Sequence, residues 1–302
     1  MAIYLAPMQG IFNAHYRKLF AQHFTGIDKC FTPFIITHGE DVYTERTFRE
    51  MTSETGITTI PQVMGNDPER LLVLCQRIQE KGAEEINFNM GCPQGTATSR
   101  KMGSGILPHP ELVEKIMDTL FNNLSVRISV KTRLGLHSTQ EFDKIVPILN
   151  NYPLSEIILH PRVGKQLYRG EADREVYKQY AAQLKAPLIY NGDIRSWDDP
   201  MIQEGSIMIG RGIAENPFLA ESIVKGEPVF DKKRLKDFHD ALLEEYTQSY
   251  TGGEMQILLK MKELWEYLHM SFPDTPKLAK AFKKCNNMRN YNILVNSLFQ
   301  KS

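Results

Sequence analysis

Apolar positions follow two rhythms along the chain. Up to Gly226-Glu227-Pro228, short apolar and β-branched runs end in glycine, proline or polar residues, and an amphipathic stretch follows most of them. The runs predict strands at residues 3–6, 29–34, 59–64, 85–89, 127–131, 156–160, 187–191 and 206–209. Between them, residues 69–81 carry Leu71, Leu72, Cys75 and Ile78 at helical spacing, and residues 110–122 carry Leu112, Val113, Ile116 and Leu120. Strand–helix alternation predicts a parallel sheet, and eight strands predict an α/β protein built on a (β/α)₈ TIM barrel, typically ~250 residues. Residues 193–208 are too few for a full seventh helix; only 196–203 could be helical, and Pro200 interrupts them.

After Gly226-Glu227-Pro228 the rhythm is purely helical. Leu235, Phe238, Leu242, Leu243 and Tyr246 form one stripe; Ile257, Leu258, Met261, Leu264, Trp265 and Leu268 form another. The pattern divides the chain into a barrel over residues 1–228 and a small all-helical domain over 229–302.

Composition narrows the class. Among 302 residues, 42% are hydrophobic and 24% charged, which suits a globular core and excludes disorder, collagen and a disulfide-stapled miniprotein. The 36 basic and 36 acidic residues balance, against a protein that wraps nucleic acid over its whole surface. A local basic face remains: residues 277–302 hold no acid but carry Lys277, Lys280, Lys283, Lys284, Arg289 and Lys301, and Lys277, Lys280 and Lys284 share one helical face. None of the four cysteines stands at C-x-x-C spacing, so neither zinc nor an iron–sulfur cluster is expected. With no leader-like start and no spanning apolar run, the expectation is a cytoplasmic protein with reduced thiols and no membrane partner; a monomer without metal is expected as well.

In a barrel of this kind, chemistry sits at the C-terminal ends of the strands. Those ends read Ala6-Pro7-Met8; Gln62 and Met64-Gly65; Asn89-Met90-Gly91-Cys92-Pro93; Lys131-Thr132-Arg133; His160-Pro161-Arg162; Asn191-Gly192-Asp193; and Gly210-Arg211-Gly212. Polar groups at so many ends converge on one mouth. The glycine turns after the last two strands suit a phosphate, with Arg211 adding charge. Lys131 and His160, on neighbouring strands, suit a bound ring that develops negative charge. Cys92, between Gly91 and Pro93, suits proton transfer or nucleophilic attack. Cys75 on its helix stripe reads as a small core hydrophobe.

Together these strand-end motifs, with Asn191-Gly192-Asp193-Ile194 and Met208-Ile209-Gly210-Arg211-Gly212, resemble the tRNA-dihydrouridine synthases along nearly the whole chain. The opening Leu5-Ala6-Pro7-Met8-Gln9-Gly10 and the tail around Trp265 resemble the bacterial C-type subfamily. The resemblance implies an FMN-dependent, NADPH-driven oxidoreductase that reduces the C5–C6 bond of tRNA uridines, in the D-loop. It implies that Pro7, Met8, Gln62, Lys131, His160, Asn191, Gly192, Asp193, Gly210 and Arg211 surround the flavin. Asn89 would hydrogen-bond the uracil; Arg133, Arg162, Lys277, Lys280 and Lys284 would contact the RNA. Hydride would pass to C6, and Cys92 would be the general acid that protonates C5.

The chain departs from the family pattern in the loop after Cys92, where Thr96 stands for a usual lysine and Lys101 for a usual glycine, and at Pro161, which stands for a glycine. Two other readings stay open on the residues alone: an FMN-barrel reductase of a small molecule, and a non-catalytic RNA-binding relative.

Overall fold

Among the described residues, ten short parallel strand segments make up one sheet: β1 (Ile3–Leu5), β2 (Lys29–Phe31), β3 (Ile35–Ile36), β4 (Thr58–Ile60), β5 (Gln62–Met64), β6 (Glu85–Met90), β7 (Arg127–Arg133), β8 (Ile157–His160), β9 (Leu188–Tyr190) and β10 (Ile207–Ile209). The computed structural model describes residues 1–37, 43–51 and 56–300. β2 pairs with β4, β3 and β6 pair with β5, and β1 joins β2 to β10. β3 continues β2 and β5 continues β4, so eight strands close around the barrel. The two interruptions fall at Pro33 and Pro61, which have no N–H to place in a ladder. At the second break the Thr32 hydroxyl substitutes for a backbone acceptor, taking the N–H of Gln62 at 3.0 Å.

The alternation within strands separates two packed layers. Tyr4, Phe31, Ile60, Ile158, Ile189 and Met208 point inward and fill the barrel. Their neighbours Ile3, Leu5, Ile157, Leu159, Ile207 and Ile209 point outward against the helices. Each fully buried aliphatic side chain contributes roughly 1.5–3 kcal/mol, so continuous apolar runs are what a strand buried on both faces requires.

The helix Pro68–Glu80 starts where Asp67 accepts the N–H groups of Glu69 and Arg70, with Pro68 in the first turn. It buries Leu71, Leu74, Cys75 and Ile78. Pro110–Asn123 likewise buries Val113, Ile116, Met117 and Leu120. Between β9 and β10 there is only a 3₁₀ turn, Pro200–Glu204, capped by Asp199. Proline opens this turn, which packs Met201 and Ile202 inward in place of a full helix.

The C-terminal segment is four helices: Lys232–Ser249, Gly253–Leu268, Thr275–Lys284 and Met288–Gln300. Trp265 stacks on Phe282 with centroids 3.9 Å apart and donates its indole N–H to the Tyr291 hydroxyl at 2.8 Å. Lys232–Ser249 packs on the barrel helix Ala14–His23 through Phe238, which meets Tyr16 and Phe24 edge-on. Asn13 donates to the Tyr246 hydroxyl across the same contact, at 3.0 Å. Among the described residues no helix is long and apolar enough to cross a membrane, and no cluster of side chains could hold a metal ion.

Candidate active site

A cavity of about 370 Å³ opens at the C-terminal ends of the strands, within the ~300–1,000 Å³ of small-molecule sites. Ala6, Pro7 and Met8 after β1, Lys131 on β7, His160 on β8, Asn191 and Gly192 after β9, and Gly210 and Arg211 after β10 line it. The helical segment closes the other side with Glu266, Tyr267, His269 and Met270. Eight of the ten residues that the resemblance assigns to the flavin therefore share one cavity; Gln62 and Asp193 are not in its lining.

Gln62 is wholly buried in a chain of amides that crosses three strands. It donates to Asn87 at 2.7 Å and accepts from Asn89 at 2.8 Å, while Asn87 donates to the Ser129 hydroxyl at 2.9 Å. The far end of this chain shapes the Cys92 turn: Asn89 Oδ1 accepts the N–H groups of both Gly91 and Cys92 at 2.9 Å. One Nδ2 hydrogen of Asn89 is thus spent on Gln62 and its oxygen on the turn; Asn89 itself is not among the residues that line the cavity.

Cys92 is 9% exposed and sits beside the cavity, under Met64, Ala97 and Met102. Its carbonyl accepts the N–H of Ser104 at 2.9 Å, closing the loop upon itself. Gly103, at φ +57, makes that closure possible, since a Cβ there would lie 2.5 Å from the Cys92 carbonyl oxygen. Burial pushes the thiol above its ordinary pKa, outweighing the opposing backbone N–H of Gln94 and the cations Lys131 and Arg133. The group is therefore a thiol, not a thiolate, at neutral pH. In the same loop Lys101 takes φ +55, the left-handed region in which a glycine carries no strain.

The cations of the mouth suppress one another. Lys131 is pulled down to about 7, first by burial and then by Arg133. Burial drives His160 well below its ordinary value, with Arg133, Lys131, Arg162 and Arg211 adding to the effect. A guanidinium only donates, so Arg162 Nη1, 2.9 Å from His160 Nε2, makes that nitrogen an acceptor. The ring hydrogen is then on Nδ1, and His160 is a neutral N–H donor.

Asp193 takes one guanidinium on each oxygen, Arg162 and Arg211. Burial alone would raise its pKa, but these guanidiniums, with Arg195 beyond them, hold it below the ordinary value. It aims Arg211 into the cavity, and Arg211 also lies 4.4 Å from the centroid of Tyr168. Arg133 and Arg162, expected to face RNA, are each 1% exposed. Arg133 donates to the carbonyls of Val163 and Leu167, and Arg162 to that of Gly170. Both brace the loop after β8 from inside, because their strand-end side chains point into the barrel wall. Lys277, Lys280, Lys283, Lys284 and Arg289 are exposed on the last two helices; Lys301 lies outside the described residues.

Sequence reading missed Tyr168, Arg195, Glu215, Glu266, Tyr267, His269 and Met270 in the lining. Arg195 follows the Asn191-Gly192-Asp193 turn and could have been found as a strand-end cation. For the residues of the helical segment no local pattern exists, since what brings them to the mouth is the docking of the segment.

The family model of dihydrouridine synthases (Dus) matches residues 4–302. The chain belongs to the dihydrouridine synthase family. This is a family of flavin-dependent oxidoreductases. Similar curated proteins include the tRNA-dihydrouridine synthase B of Pasteurella multocida, 27% identical over 98% of this chain and 92% of that protein. The tRNA-dihydrouridine(16) synthase of Escherichia coli K12 is 26% identical over 95% of each chain. A solved structure, a variant of NCR from Zymomonas mobilis, superposes with a TM-score of 0.54 over 76% of this chain and 88% of that one. At 12% identity that likeness concerns the barrel fold alone.

A flavin mononucleotide fits the residues of the cavity. Its donor set is Lys131, His160 Nδ1–H and Arg211, and it has a glycine turn at each of its last two strand ends. Of the two acids in its lining, Glu215 is tied to Arg195 at 2.6 Å and Glu266 is exposed. Gly192 is indispensable to the turn, for any Cβ there would fall 2.0 Å from the Tyr190 hydroxyl.

Proposed function

We propose that this synthase reduces the C5–C6 double bond of a D-loop uridine in tRNA to 5,6-dihydrouridine, with FMN as bound cofactor and NADPH as reductant. The observation that carries the reading is the convergence of Lys131, His160, Asn191, Gly192, Gly210 and Arg211 from four strand ends on one cavity, in a chain of this family. When bound and reduced, FMN supplies the hydride that the C6 position of the base receives. The remaining work belongs to the protein.

Lys131 and the His160 N–H hold the electron-rich edge of the ring system, and Arg211 with the two glycine turns holds the phosphate. Asn89 gives its second Nδ2 hydrogen to a uracil carbonyl, a role supported by the absence of another acceptor for it among the described residues. Cys92, kept protonated by burial, gives its proton to C5 as negative charge develops there. One hydride and one proton saturate the bond, so each turnover consumes one NADPH and one solvent proton. The base must leave its stack to reach the cavity, which costs roughly a few kcal/mol and costs least in a loop. The exposed Lys277, Lys280 and Lys284 contact phosphates of the tRNA and offset that cost. The tRNA substrate supports a cytoplasmic reaction.

The test uses RNA from a host that lacks its own dihydrouridine synthases, incubated with the purified protein, FMN and NADPH. Mass spectrometry should find new dihydrouridine at one D-loop position. NADPH oxidation by a flavin-loaded protein that leaves the RNA unchanged would instead favour a reductase of a small molecule.

A further inference from the structure

His269 belongs to the helical segment, yet it lines the barrel's cavity. It opens the 3₁₀ turn His269–Ser271 that follows the helix Gly253–Leu268. Ser271 pins this turn to the barrel by donating its hydroxyl to the Glu215 carbonyl at 2.6 Å. Glu215 ends the short helix Arg211–Glu215 that begins at the Gly210 turn. His269 is thereby held at the end of the cavity where Gly210, Arg211 and Arg195 converge. Its Nδ1 is buried and without a hydrogen-bond partner. A hydrogen on that nitrogen would be a buried donor with no acceptor, the costlier kind of orphan, whereas a bare lone pair is tolerated. The ring hydrogen therefore sits on Nε2, the remaining nitrogen of a ring that lines the cavity.

We infer that His269 is a ligand of the cofactor's phosphate, contributed by the helical segment to a site otherwise built by the barrel. The inference rests on the FMN reading above. It assigns the helical segment a second task besides RNA contact, because cofactor loading and domain docking then share one hydrogen bond.

The experiment compares FMN with riboflavin, which lacks the phosphate, by fluorescence titration of apoprotein without RNA. Wild type, His269→Ala and His269→Gln are measured; the glutamine amide reaches about as far as Nε2 and can donate. The expected result is an FMN affinity about tenfold weaker in His269→Ala, riboflavin affinity unchanged, and most of the FMN loss recovered in His269→Gln. Equal weakening of both flavins in His269→Ala would overturn the inference, since it would mean His269 only holds the domain in place. Unchanged FMN binding beside weakened tRNA binding would overturn it in favour of an RNA phosphate. Wild-type protein that binds neither flavin would overturn the cofactor reading itself, and this inference with it.

Discussion

At the N-terminal end of the barrel, Lys29 lies 3.6 Å from Glu85 and 3.2 Å from Glu156. Tyr4 donates to Glu156 at 2.8 Å, and Arg127 stands 3.7 Å from Glu85. Two cations face two carboxylates, and each carboxylate has a partner from another strand. At the C-terminal end, the cations Lys131, Arg133, Arg162, Arg195 and Arg211 outnumber the carboxylates Asp193, Glu215 and Glu266. The bottom is closed electrically; the mouth holds an excess of positive charge beside a cavity. A cation without a counter-ion is costly to bury, so a ligand that brings negative charge should stabilise the mouth. The contrast teaches where in the barrel charge serves the fold and where it awaits chemistry.

The sharpest way to break this contrast is Cys92→Ala. Loss of a general acid should lower turnover on tRNA by about 10²–10⁴-fold, with flavin binding and unfolding midpoint unchanged. Single-turnover kinetics by mass spectrometry check it, and near-normal turnover would remove Cys92 from the acid role. The mirror experiment is Glu156→Gln at the bottom. Breaking that pair should cost about 1–3 kcal/mol in urea unfolding and leave FMN affinity as it was. A changed affinity would mean the two ends are coupled.

Lys131→Met sharpens the comparison through pH. Lys131 in the folded protein is pulled to about 7, whereas an unfolded lysine titrates near ~10.4. Between those values the unfolded chain holds the proton that the folded chain has lost, so stability rises with pH across that window. Urea unfolding of the apoprotein at pH 7 and pH 9.5 should show wild type gaining on Lys131→Met, and FMN should reduce the gain. Parallel curves for the two proteins would mean Lys131 is not held at a cost. The smallest effect is expected in the loop beside Cys92. Lys101→Gly relieves a left-handed residue and should stabilise by about 1 kcal/mol, read as a higher thermal midpoint; a lower one would show that the lysine side chain makes a contact worth more than the strain.

Much of the molecule is written in local pattern. The period-2 alternation separates Tyr4, Ile158 and Met208 inside the barrel from Ile3, Ile157 and Ile207 outside it. Helical spacing marks the buried faces of Pro68–Glu80 and Gly253–Leu268. The family's strand-end motifs point to the mouth. Breaks at Pro33 and Pro61 could have been read from proline alone, although the runs around them read as two unbroken strands. These features are legible because they depend on neighbours a few residues apart.

What the chain's own order does not carry is which strand-end groups face the cavity and which turn away. Arg133 and Arg211 look alike in sequence, both cations at strand ends. The first is spent on the carbonyls of Val163 and Leu167, while the second is held in the cavity lining by Asp193. Nor does any local signal bring the turn that holds His269 to Glu215; the Ser271–Glu215 hydrogen bond that closes this contact spans 56 residues. The sequence by itself determined the barrel, the helical tail and the residue types available at the mouth. Only the tertiary structure decided the partners of each charge and the far wall of the cavity, because both follow from how distant segments pack and not from the periodicity within any one of them.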